Sequence, residues 1–182
     1  MTASRDADLE SLSIGDDANS PVAVLKMFIY NSARSPDAIF AELKRIAVSR
    51  ELDERSKIRV LLEAYLLSPN ETAKTVATTK LEECLPVLKC YCIDKQSQIM
   101  LLNGLEELAG TTDKRLLPLT GHMLKTLYEG DVCEEDNIID WYNAPVEASM
   151  NPDKEAVSKV KAKAKVIVEW LLEAEEESSE ED

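Results

Sequence analysis

An all-α fold of stacked antiparallel helical hairpins, an α-solenoid of about eight helices, is what this sequence predicts. Three observations carry that expectation. Capped helix starts recur along the chain, each followed by apolar positions spaced three and four apart. No segment alternates apolar and polar residues with the period of two that a half-buried strand needs. Glycine occurs five times in 182 residues, too rarely for a turn-rich all-β fold. No repeat of fixed period is present, so the solenoid rests on helix number and short connections.

Residues 1–19 hold five acids, one arginine and scattered Leu9, Leu12 and Ile14, and read as a disordered acidic leader. Ser20-Pro21 then starts a helix with Val24, Leu25, Phe28 and Ile29 on one face. Serine suits the cap, and proline the first helical position, whose N–H has no intrahelical partner. Ser35-Pro36-Asp37 repeats the signal ahead of Ile39, Phe40, Leu43 and Ile46. Asp53 is expected to cap the helix carrying Ile58, Leu61, Leu62, Tyr65 and Leu66, and Asn70 the one that turns Ala73, Val76 and Ala77 inward. Pro86 interrupts the next apolar region as either a kink or a new helix start.

Asp94 caps an amphipathic helix through Ile99, Leu101, Leu102, Leu105 and Leu108, ending near Gly110. Thr112-Asp113 starts the next, with Leu116, Leu119, Met123, Leu124 and Leu127 on its face, Pro118 in its first turns and Gly130 at its stop. A short helix covers Glu134 to Tyr142. Asn151-Pro152 opens the longest one, whose seam is Val157, Val160, Ala164, Ile167, Leu171 and Ala174. The helical domain is thus expected over 20–174, followed by an acidic tail at 175–182.

The net charge of −14 sits mostly at the ends, since residues 173–182 alone hold seven acids and no base. Such an excess repels nucleic-acid phosphates and anionic lipid and favours lysine-rich protein partners, so direct RNA contact is possible but not favoured. No apolar run approaches the roughly 20 residues of a membrane span, and no signal peptide opens the chain. A soluble, cytoplasmic protein is expected. Cys84, Cys90, Cys92 and Cys133 match no zinc spacing and read as reduced thiols, with a Cys90/Cys92 metal or redox site as the weaker alternative. His122 has no nucleophile near it in sequence, and there is no phosphate loop. The sequence therefore predicts no enzyme, no cofactor and no bound metal.

Two stretches set tryptophan among carboxylates. The first contains Tyr128, Glu129, Asp131, Glu134, Glu135, Asp136, Asp140 and Trp141. The second contains Glu169, Trp170, Leu171, Glu173, Glu175, Glu176 and Glu177. An indole can take the methylenes and ammonium of a lysine while carboxylates balance its charge. Acids after a helix C-terminus oppose its dipole, so helix stability does not explain the second stretch. In the first, Glu134 to Asp136 also suit a helix N-terminus, and Trp141 can equally be core. Ser178 and Ser179, each with an acid three residues on, are candidate phosphorylation sites. Lys154, Lys161 and Lys165 share one face of the last helix, either a solvated face or a second partner surface. Arg45, Arg50, Arg55, Lys57 and Arg59 form another basic region.

With these stretches in place, the chain resembles the W2 domains of translation initiation factors, and most of all the C-terminal domain of factor five. The resemblance is carried by Leu101-Leu102-Asn103-Gly104-Leu105-Glu106, by Leu127-Tyr128 through Trp141, and by Val168-Glu169-Trp170-Leu171 followed by Glu173-Ala174-Glu175-Glu176-Glu177-Ser178-Ser179. It is specific over residues 90–182, while over 20–90 only the helical pattern agrees. It implies a HEAT-like fold with two aromatic-acidic boxes at the positions named above. It also implies an assembly role. The family's domain binds lysine-rich segments in the tail of the initiation factor two β subunit and contacts initiation factors one and three. The factor five GTPase-activating domain has no counterpart here. The alternative is the W2 domain of the initiation factor two B ε subunit, the catalytic element for GDP release from factor two. A W2 end of a scaffold related to factor four G, and a regulatory mimic of factor five, are further readings.

Overall fold

A computed structural model describes residues 18–179, with side chains described for residues 18–174. Most of the acidic leader, the side chains of Glu175, Glu176, Glu177, Ser178 and Ser179, and residues 180–182 lie outside the described residues. The helices are α1 (Pro21–Tyr30), α2 (Pro36–Ser49), α3 (Glu54–Leu66) and α4, which runs as Ala73–Thr75, a π turn at Val76–Lys80 and Leu81–Tyr91. Then come α5 (Lys95–Glu107) with a π turn at Leu108–Thr112, and α6 (Thr120–Glu129) led in by a 3-10 turn at Lys114–Leu119. The chain ends in α7 (Glu135–Asn143), a 3-10 turn at Val146–Ala148, and α8 (Lys154–Ser179). Among the described residues there are thus eight helices and no strand, as the sequence predicts. The chain divides into two compact units at Tyr91/Cys92.

In the first unit, α1 packs on α2 and α3, and α4 packs on the same two helices. Leu25, Leu43, Ile58, Leu61, Leu62, Leu66, Leu81 and Leu88 fill the space between them. The expected caps at Ser20, Ser35 and Asp53 are in place, each side chain accepting the N–H three residues on. The expected cap at Asn70 is not. The Glu71 N–H closes a turn onto the Ser68 carbonyl at 3.1 Å, which spends Asn70 on that turn. Thr72 caps α4 instead, its hydroxyl accepting the Thr75 N–H at 3.1 Å. Pro86 neither breaks nor starts a helix. It is exposed on α4, as is Glu82 one turn before it, so the hydrogen bond that proline cannot donate falls on a solvated side of the helix.

In the second unit, α8 is the organising element, lying against α6, α7 and both turns that precede α6. Gly110 and Gly121 let it approach closely. A Cβ on Gly110 would meet the Val160 side chain at 3.1 Å, and one on Gly121 the Lys163 carbonyl at 3.3 Å. Val157, Val160, Ala164, Ile167 and Leu171 are buried as expected. Ala174 is exposed, because α6 ends level with Trp170 and the seam loses its partner there. Asp94 and Ser97 form a full capping box on α5. The helix expected from Thr112-Asp113 starts as the tighter 3-10 turn around Pro118, and α geometry begins only at Thr120. Asn151 accepts the Asp153 N–H at 3.0 Å, and it is Asp153 that caps α8 through the Ala156 N–H at 2.9 Å. No helix among the described residues is long and apolar enough to cross a membrane.

Candidate partner-binding surface

The first acidic stretch is a helix end, a turn and a helix start. Gly130 ends α6 at an ordinary φ of −83°, and Asp131 behind it takes the left-handed conformation at φ 52°. The Val132 N–H then bonds back to the Leu127 carbonyl at 2.9 Å, closing the helix end as a Schellman motif. Val132 and Cys133 are buried under the turn, which directs Asp131 and Glu134 to solvent. Buried Gln98 fixes the start of α7, its Oε1 accepting the Glu134 N–H at 2.8 Å and the Asn137 amide at 2.7 Å. The result is a cleft of about 440 Å³ whose lining includes Tyr128, Asp131, Glu134 and Glu135. Asp136 is exposed beside it.

The two tryptophans have opposite fates. Trp170 is 42% exposed, and the half-buried Tyr128 meets it edge-on, with ring centroids 6.0 Å apart and planes at 78°. This contact joins the first stretch to the second. Glu129, Glu169 and Glu173 are exposed around it, while Leu171 is fully buried and belongs to the core. Trp141 is 4% exposed and faces inward, so only its neighbour Asp140 reaches the surface, where Lys95 pairs with it at 2.5 Å.

Around Trp141 lies a buried polar cluster. Lys161 donates to the carbonyls of Trp141 at 3.0 Å and Tyr142 at 3.3 Å and to that of Ala144, capping the C-terminus of α7 with a cation. Burial lowers its pKa, with Glu106 opposing the shift. Glu106, 1% exposed, accepts a hydrogen bond from the Ser149 hydroxyl. Burial pushes its carboxyl above the usual range, an effect offset in part by Ser149 and Lys161. Lys154 donates to the Ser149 carbonyl at 2.7 Å. Lys154 and Lys161 are thus spent on the segment joining α7 to α8. Lys165 is exposed and pairs with Glu169 at 3.4 Å. In the first unit, Arg45, Lys57 and Arg59 each pair with a glutamate on their own helix.

Three residues of this region carry no signal in the two acidic stretches: Gln98, Glu106 and Lys125. Lys125 lies over the Trp170 ring, its Nζ 5.2 Å from the centroid, and pairs with Glu129 at 3.5 Å. Its spacing from Tyr128 and Glu129 could have marked it, since residues three and four apart share a helix face. Lys125 and Trp170 also line a groove of about 470 Å³, together with Pro118, His122, Lys163, Val166 and Ile167 among others. Among the described residues, no group of three or more His, Cys, Asp or Glu is placed to hold a metal ion. The four thiols are unbridged, and burial pushes Cys92 up to about 12 and raises Cys133 as well.

Comparison with known proteins places these features in context. The family model described as W2: eIF4-gamma/eIF5/eIF2-epsilon matches residues 97–181. Eukaryotic translation initiation factor 5 of Caenorhabditis elegans is 32% identical over 132 residues, covering 71% of this chain and 30% of that protein. The Zea mays protein of the same name is 30% identical over 144 residues, covering 78% and 29%. The solved C-terminal domain of translation initiation factor 5 at low pH is similar with a TM-score of 0.63 at 25% identity, covering 91% of this chain and 99% of that one. The chain spans less than a third of the length of these curated relatives.

Proposed function

The chain carries, over residues 97–181, a W2 domain of the translation initiation factor family, and from that premise we propose that it is an assembly module for the initiation machinery. On this reading its joined acidic-aromatic surface captures lysine-rich segments, those of the initiation factor two β subunit first, and it makes further contacts with initiation factors one and three. It acts as a scaffold and not as an enzyme.

The observation that supports this best is the Tyr128–Trp170 contact, which gathers two acidic stretches distant in sequence around one partly exposed indole. Asp131, Glu134, Asp136 and Glu173 add exposed carboxylates on either side of it. A lysine side chain suits such a surface, its methylenes on the ring and its ammonium among the acids.

The test is a calorimetric titration of a synthetic lysine-rich peptide into the full chain at low and at physiological salt. Binding should weaken with salt, as expected for exposed charges. Reversing Glu134 and Asp136 to lysine should weaken it further and flatten the salt dependence. Unchanged affinity in that variant would remove the first stretch from the site. Acceleration of GDP release from purified initiation factor two would instead assign the chain the exchange role of the factor two B ε subunit.

A further inference from the structure

We infer that Lys125 is a built-in occupant of the partner site: it holds the Trp170 ring face that an incoming lysine would use, and a partner must displace it to bind. This rests on the reading of the surface as a lysine-binding one, and it adds a residue that sets the threshold for binding there.

The geometry is that of the complex such a surface would form, made by the chain with itself. Lys125 Nζ lies 5.2 Å from the Trp170 centroid, within the roughly 6 Å over which a cation and a ring attract. It is also 3.5 Å from a carboxylate oxygen of Glu129. A ring and an acid together are the recognition elements proposed for the partner's lysine, and Lys125 engages both. Tyr128, one turn further along α6, meets the same indole edge-on, so Lys125 and Tyr128 both approach Trp170 from one helix.

Both contacts of Lys125 are exposed enough to exchange. Its side chain is 45% exposed and that of Glu129 59%, so the ion pair is screened and worth little by itself. Neighbouring box acids are held in the same way, Glu169 by Lys165 and Asp140 by Lys95. Among the described residues, however, it is Lys125 that also lies over the Trp170 indole. The consequence is selectivity: a segment with several lysines can replace Lys125 and still have cations left for the other acids, whereas an isolated lysine gains only what Lys125 gives up.

Lys163 provides the control. It lines the groove next to Trp170, is exposed, and makes no ion pair or ring contact among the described residues. Lys125→Met and Lys163→Met each remove one positive charge near the site, but only the first uncovers the ring. Two measurements on the full chain follow. Acrylamide quenching of tryptophan fluorescence, in which buried Trp141 contributes little, should increase in Lys125→Met and stay at the wild-type level in Lys163→Met. An octalysine peptide should bind Lys125→Met more tightly than Lys163→Met by about two- to five-fold, the exposed cation–ring interaction converted to affinity.

Equal affinities for the two variants, or equal quenching, would overturn the inference while leaving the lysine-binding surface intact. No binding of the peptide by wild type or by either variant would instead bring down the functional reading and this inference with it. Circular dichroism of both variants, expected to match wild type, shows that the differences arise in a folded chain.

Discussion

Two acids, Glu51 and Asp131, close helix ends in the left-handed region, both at φ 52°. A side chain there costs roughly 1–2 kcal/mol, whereas glycine gives back part of that through its larger freedom in the unfolded chain. Glu51 is exposed, and the Leu52 N–H bond to the Ala47 carbonyl at 2.9 Å does not depend on its side chain. Glu51→Gly should therefore stabilise the protein by about 0.5–1 kcal/mol, read as a higher melting temperature. Thr72→Ala should do the opposite, costing about 1 kcal/mol through loss of the α4 cap. These positions also show what a sequence reading resolves at this scale. Ser20 and Ser35 are legible because a proline follows each, and Asp53 and Asp94 because no other capping residue lies within two positions of them. Asn70 and Asn151 mislead by two residues because Thr72 and Asp153, capping residues themselves, stand close after them, whereas Gly130 stops α6 as its sequence position suggests. The choice among Asn70, Glu71 and Thr72 is made by a turn onto Ser68 that no local preference specifies.

Among the helices, legibility follows packing. The α8 seam is visible as a 3,4 spacing and holds as far as Leu171, but its end is set by where α6 stops, which no pattern within α8 records. Trp141 and Trp170 have the same kinds of neighbour in sequence, yet one is core and the other surface. The difference arises from what lies opposite: for Trp141 it is Lys161 and Glu106, brought in by α8 and α5. That buried cluster has a consequence for pH. Because burial raises the Glu106 carboxyl above its ordinary 4.5, the fold favours the neutral acid. The cost of ionising it is absent below that value and grows as pH rises through the raised one. The capping and paired carboxylates Asp53, Asp94 and Asp113 are shifted down, so their contributions are lost only at lower pH. Between these windows Glu106 acts alone among the shifted carboxyls. Urea denaturation should find Glu106→Gln equal to wild type near pH 4 and more stable than it at pH 7.5. A difference that is constant across this range would mean that Glu106 does not titrate with folding.

Over the whole chain, charge is separated from the elements that hold the fold. Residues 173–182 carry seven acids, whereas the α8 seam is complete at Leu171. Carboxylates at a helix C-terminus oppose its dipole, and an uncompensated acidic run repels itself, so neither effect stabilises the domain. What the run can do is act at a distance. A field of one sign extends about 8 Å into solution at physiological ionic strength and draws in cationic segments before they dock. Docking then depends on the surface around Trp170, which lies ahead of residue 175. The two roles can be separated in a chain ending at Ala174. Its melting temperature should equal or slightly exceed that of the full chain, because the lost residues carry six acids and no base and their removal relieves self-repulsion. Stopped-flow mixing with a lysine-rich peptide should show a slower association rate and a shallower dependence of that rate on salt. The dissociation rate should change little, since the indole and the acids Asp131, Glu134 and Glu173 remain. If dissociation accelerates while association holds, the tail is part of the docked contact, and the site extends beyond the surface that Tyr128 and Trp170 define.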